Sequence, residues 1–366
     1  MTYKQALFFI GNCLALSHNP SKKQEVTSAI ISNKINWPKI VCVSTGHMVL
    51  PTLYLNLKRA KLLDCLPQDL VDYCTEITEL NRERNKVIIK QAKNLVALLK
   101  PYNINPIFLK GTAHLLEGLY KDIGERMVGD IDFLVAENKI EKTANLLIKM
   151  GYKPMNKFIS TKQLGSKHYP RLIKPKEIAA VEIHWAVVLQ SHKTNLNYRS
   201  IIKNKQFINE VFVPSFSHQA IHNILNTQIN DKGFLYGKVI PRQLYDGFLL
   251  LQKPQVLQSC LAYKYDYYRK KLYLKLIQNI LGLKKFETKD SFVVQILMLR
   301  YKLRINYPKI NYLINYSIFL LSRLFSYPKT IIQASYKNDV RLRVINNLKD
   351  SSWYGKHIMS YKNPGF

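Results

Sequence analysis

Two aspartates, Asp130 and Asp132, stand two positions apart in the apolar run GDIDFLV at residues 129–135. In a strand, side chains alternate between faces, so both carboxylates project to one side while Ile131 and Phe133 project to the other. Carboxylates at that spacing suit the shared binding of divalent cations, and hard oxygen ligands suit magnesium. A third acid, Glu182, lies in the later apolar run VEIHW at 181–185, on the same face as His184 and opposite to Val181, Ile183 and Trp185. Three carboxylates can hold two cations, and one of them can accept the proton of an attacking hydroxyl. Such a set is what a two-metal nucleotidyl-transfer site needs.

Upstream, the run PIFLKGT at 106–112 ends in Lys110, Gly111 and Thr112. Gly111 lets the backbone approach a ligand closely, and Thr112 is expected to cap the helix that follows, whose free N–H groups favour a phosphate. Lys110 and Arg126 are expected either to neutralise phosphate charge or to pair with the acids themselves. His184 is expected to orient Glu182 or to pack beside Trp185. His218 and His222 are four apart on a helix, but Gln219 stands where a zinc protease needs glutamate, and no third ligand is evident. The chain carries no P-loop and no Gly-x-Ser-x-Gly elbow.

The elements that must position these groups follow from periodicity. Residues 1–100 read as helical. Leu70, Cys74, Ile77, Val87, Leu95 and Leu98 mark a long helix between Pro67 and Pro101. Its charged face, Glu79, Arg82, Glu83, Arg84 and Lys86, reads as solvated. From Ile104 the pattern changes to short strands with intervening helices, including an amphipathic helix over 140–150 closed by Gly151 and a hairpin formed by 171–173 and 178–188. From about residue 205 the chain reads as helical again. The expected class is α+β, with the strands in 101–200 and helical regions over 1–100 and 201–366.

Of the 366 residues, 55 are Lys or Arg against 24 Asp or Glu, a formal net charge of +31. An anionic partner fits such a balance, and so does a lysine-rich genome bias. The 251–330 segment mixes 15 basic residues and ten tyrosines with only three acids, a combination suited to RNA, to an anionic membrane surface, or simply to solvated helix faces. The apolar stretch at 312–327 is broken by Asn315, Ser317, Ser322 and Arg323, which argues against a spanning helix. Five scattered cysteines without CxxC spacing point to a reducing, cytoplasmic setting. The apolar stretch at 6–16 lacks the features of a leader peptide and reads as a packed helix.

Taken together, FLKG at 108–111, Gly124-x-Arg126, GDIDFLV at 129–135, Gly151-Tyr152, EIHW at 182–185 and RQLYD at 242–246 resemble the uncharacterised nucleotidyltransferase family of the DNA polymerase beta-like superfamily, over roughly residues 85–250. The resemblance implies a small mixed sheet flanked by helices. It also implies magnesium-dependent use of a nucleoside triphosphate (NTP), with Asp130, Asp132 and Glu182 as metal ligands. Lys110, Gly111 and Thr112 stand where the wider superfamily has a Gly-Gly or Gly-Ser turn, followed here by a longer gap to the aspartates. The acceptor implied is a hydroxyl of RNA, a small molecule, a sugar or a protein. A catalytically degenerate binding module and a membrane-surface protein are the alternatives.

Overall fold

The computed structural model describes residues 1–155, 166–189, 192, 194–283 and 291–349. Residues 284–290 of the basic 251–330 stretch and everything beyond 349 lie outside these described residues. The chain opens with five helices: α1 (Tyr3–Ala15), α2 (Pro20–Ile31), α3 (Trp37–Gly46), α4 (Leu50–Arg59) and the 32-residue α5 (Gln68–Leu99). Then come β1 (Ile107–Phe108), α6 (Lys110–Leu116), β2 (Asp130–Leu134), α7 (Ile140–Lys149), β3 (Lys153–Pro154), β4 (Leu172–Ile173) and β5 (Ala180–His184). After α8 (Tyr198–Lys203) the strands β6 (Lys205–Ile208) and β7 (Val211–Pro214) complete the sheet. The remaining helices are α9 (Phe216–Leu225), α10 (Gly233–Tyr236), α11 (Pro241–Leu251), α12 (Val256–Ala262), α13 (Tyr267–Leu281), α14 (Phe292–Asn306), α15 (Pro308–Tyr336) and α16 (Asn338–Lys349).

The seven strands run in the order β3-β4-β5-β2-β1-β7-β6. β2 lies parallel to β5 and antiparallel to β1, so the sheet is mixed and the class is α+β, as the alternation of patterns indicates. One face packs on α5, α6 and α7. There Ile131 and Phe133 of β2 and Val181 and Ile183 of β5 join Ile88, Ala92 and Leu95 of α5 and Leu147 of α7 in one apolar cluster. Full burial of such side chains contributes about 1.5–3 kcal/mol each. Turning them inward obliges the alternate residues of both strands to face the other way.

A second cluster joins the first helix to helices that follow the sheet. Leu7, Ile10 and Leu14 of α1 pack with Phe248 of α11 and with Leu272, Tyr273 and Ile277 of α13. The apolar N-terminal stretch is thus a packed helix. Gly11 permits the crossing of α1 over α13, because a Cβ there would lie 2.4 Å from the carbonyl oxygen of Ile280.

Three local expectations are corrected. The segment after 204 begins as a hairpin rather than a helix. Asn209 and Glu210 both take positive φ (50° and 70°), which fits the two-residue turn whose twist matches paired strands, and Ile208 pairs with Val211 across it. Thr112 does not cap α6. Leu109 holds that place, Lys110 turns the chain with a left-handed φ of 54°, and the Thr112 hydroxyl donates to the carbonyl oxygen of Asp130 at 3.0 Å. The polar side of α5 is only partly solvated. Arg82 pairs with Asp122 at 2.9 Å, and the buried Asn81 and Asn85 donate to the carbonyls of Gly124, Ile123 and Arg126. These bonds fix the irregular segment that leads into β2.

Candidate active site

The parallel register sets Asp132 directly opposite Glu182, and Leu134 opposite His184. With the odd-numbered neighbours turned into the core, Asp130, Asp132, Glu182 and His184 share the other face. His184 Nε2 lies 2.8 Å from Asp132 Oδ1 and 3.5 Å from Glu182 Oε2. Among the described residues, Asp132, Glu182 and His184 form a group whose ligand atoms all lie within 4.8 Å of one another. Two carboxylates and an imidazole at that spacing suit a small divalent cation.

Asp130 stands just outside that group and is tied to it by Arg171. The Arg171 Nη2 donates to Asp130 Oδ2 at 2.8 Å and to Glu182 Oε1 at 3.0 Å. Lys110 approaches from α6, its Nζ 2.7 Å from Asp132 Oδ1. The acids differ in proton affinity as a result. Burial opposes ionisation of Asp132, yet Lys110 and His184 outweigh it and hold the carboxyl well below its usual range. Burial acts on Glu182 in the same sense, and the His184 hydrogen bond and the Lys110 charge bring it down to about 2. Asp130 is raised, because burial and the neighbouring acids exceed the pull of Arg171.

Lys110, Asp130, Asp132, Arg171 and Glu182 line a polar cleft of about 420 Å³ together with Gly111, Arg126, Lys167, His168 and residues of α9 and α11, while His184 itself is fully buried. Lys167 titrates at about 8, lowered by burial and by the Lys110 charge. Thr112 is not among the lining residues. Arg126 reaches the cleft but pairs with neither aspartate of β2. Its Nε and Nη2 grip both oxygens of Asp246 on α11, at 2.8 and 2.7 Å. Asp246 also accepts the Tyr120 hydroxyl, with His114 Nδ1 3.4 Å away. Burial would raise the Asp246 carboxyl, and Arg126 and His114 instead draw it well below the usual range. Arg242, lowered to about 10 by burial and by Arg126, adds a further cation to the cleft.

Sequence reasoning missed Arg171, Lys167 and Asp246. The signal for Arg171 was present: Leu172 pairs with Val181 in an antiparallel ladder, so Arg171 falls opposite Glu182. Asp246 lies within the RQLYD segment at 242–246, but nothing in the sequence marks Arg126, 120 residues earlier, as its partner.

A model of the family described as uncharacterised nucleotidyltransferase matches residues 33–268, well over half of the chain. The chain belongs to the uncharacterised nucleotidyltransferase family. No curated protein matches it. Membership brings the general reaction class, nucleotidyl transfer, and the match spans all seven strands and the helices α9 and α11 that close the cleft.

Proposed function

We propose that the protein moves a nucleoside monophosphate from an NTP to an acceptor hydroxyl, with magnesium bound by Asp130, Asp132 and Glu182. The observation that carries this reading is the in-register facing of Asp132 and Glu182, with His184 touching both, inside a cleft rimmed by Lys110, Lys167 and Arg242. The donor set fits the cation: two ionised carboxylates held below their usual range, with a third joined through Arg171. A divalent cation bound there would polarise the α-phosphate and offset charge that develops on the leaving group. The acceptor oxygen forms a bond to the α-phosphorus, the bond to the β-phosphate oxygen breaks, and pyrophosphate departs. The acceptor proton passes to a carboxylate of the set. Lys110 and Arg171, which neutralise the acids, would also meet triphosphate oxygens. Arg126 acts from behind, its guanidinium held by Asp246.

The test is incubation of the protein with magnesium, each labelled triphosphate and cellular RNA, protein and metabolite fractions. Label transferred by the wild type and lost in Asp132→Ala supports the reading. Equal transfer by both proteins would overturn it.

A second reading concerns where the enzyme works. α15 contains no acid, carries Lys309, Arg323 and Lys329, and exposes Leu313, Leu324, Phe325, Ile331 and Ile332. Among the described residues no helix is long and apolar enough to cross a membrane. Such a helix suits the surface of an anionic bilayer, where apolar side chains enter and lysines meet headgroups. Cosedimentation with phosphatidylserine vesicles checks it, and failure to pellet at low salt removes it.

A further inference from the structure

The helical wall of the cleft has a chemistry of its own. Gln219, His222, Asn223 and Asn226 follow the i, i+3, i+4, i+7 spacing of one helix stripe along α9. At Asn226 the helix widens into a single π turn, Asn226–Asn230, so that Asn230 also lines the cleft. Such turns interrupt helices at a cost and are frequent at functional sites. Gln243 joins them from α11. Five carboxamides and a histidine therefore line the same cleft as the carboxylates.

The amide nitrogens are largely spent on the protein. Gln219 Nε2 donates to Glu117 Oε2 at 2.7 Å and to Pro214 O at 2.8 Å, Asn223 Nδ2 to Gln243 O at 2.8 Å, and Gln243 Nε2 to Asp231 Oδ2 at 2.6 Å. Three buried atoms are left without a protein partner: Gln219 Oε1, Gln243 Oε1 and His222 Nε2. Gln219 and His222 are each only 4% exposed. Buried polar atoms are nearly always paired, so fixed, unpaired acceptors in a cleft mark a place for a ligand that donates hydrogen bonds. A phosphodiester offers only acceptors and would be repelled by the two amide oxygens. No Phe, Tyr or Trp stands among the described lining residues, so this wall offers no platform for stacking a base. Hydroxyl groups, which both donate and accept, match it.

We propose that this carboxamide wall binds the hydroxyls of a sugar ring. The inference rests on the proposed nucleotidyl transfer, and the ring has two sources: the ribose of the donor triphosphate or a saccharide acceptor.

Calorimetry with the full chain in magnesium separates them. Each ribonucleoside triphosphate is compared with its 2′-deoxy and 3′-deoxy forms, and a panel of neutral mono- and disaccharides is titrated onto the protein alone and with a non-hydrolysable triphosphate analogue. Tripolyphosphate serves as the probe for the cation-and-phosphate half. If the wall holds ribose, a deoxy form binds at least about tenfold more weakly; if it holds an acceptor, a saccharide binds. In either case Gln219→Met and Gln243→Met abolish that preference while tripolyphosphate affinity is unchanged. Should both variants fail to fold, the wild-type comparison alone decides. Equal affinity for ribo and deoxy forms together with no saccharide binding overturns the proposal. Loss of tripolyphosphate binding in the wild type would instead count against the nucleotidyl-transfer reading, leaving the saccharide titration to judge the wall.

Discussion

Asp132 of β2 and Glu182 of β5 face each other across a parallel pair of strands, and the His184 imidazole touches both, 2.8 Å from one and 3.5 Å from the other. The first prediction follows from this relationship. Asp132→Asn keeps the shape and removes one charge from the set, so cation-dependent transfer falls by at least about 100-fold. Circular dichroism and thermal melting should show the fold retained. A variant that transfers nucleotide as fast as the wild type would exclude Asp132 from the site.

Arg171 contacts Asp130 and Glu182 with a single guanidinium and so offsets negative charge that would otherwise draw a cation. Arg171→Ala leaves the acids facing each other without that neutralisation. Its melting temperature in a chelator should drop by a few degrees, and magnesium should raise it by more than it raises the wild type, because ligand binding to the folded state adds stability by mass action. If Arg171 meets the triphosphate as proposed, transfer should fall even at saturating magnesium. Thermal melts across a magnesium series check the first point, and steady-state rates the second.

The strands β2 and β5, and the shared face of Asp130, Asp132 and Glu182, were legible because they depend on period-two alternation, which a sequence displays directly. What lay hidden depends on distance along the chain. The alternation of residues 205–214 is short, and only the positive φ at Asn209 and Glu210 makes the hairpin. Arg126 finds Asp246 across 120 residues, a pairing set by how α11 packs. The inward stripe of α9 was obscured by the more conspicuous pair His218 and His222, although the stripe through Gln219, His222, Asn223 and Asn226 has the same helical period.

The Arg126 and Asp246 pair is almost fully buried, with side-chain exposures of 7% and 3%. Removing one partner strands the other charge. Asp246→Leu should therefore destabilise the protein by about 3–5 kcal/mol, and adding Arg126→Met should recover much of that loss. Urea denaturation of the two single variants and the double variant measures the coupling. If the pair also places Arg126 for substrate, the double variant regains stability but not activity. Recovery of both would make Asp246 purely structural.

Glu117 supplies a pH dependence. Burial raises its carboxyl to about 7, above the usual 4.5, with Gln219 and His114 only partly opposing the shift. A raised carboxyl is protonated in the folded protein while the unfolded chain has already lost its proton. Its contribution is thus fully present below about pH 4.5 and is lost as pH rises through about 7. Over that window the folded state should lose roughly 3 kcal/mol from this group. Glu117→Gln keeps an oxygen to accept from Gln219 and cannot ionise, so the variant should match the wild type near pH 5 and exceed it near pH 8. Urea midpoints at the two pH values read the difference. A wild type and variant that respond identically to pH would show that Glu117 keeps an ordinary carboxyl in the folded chain.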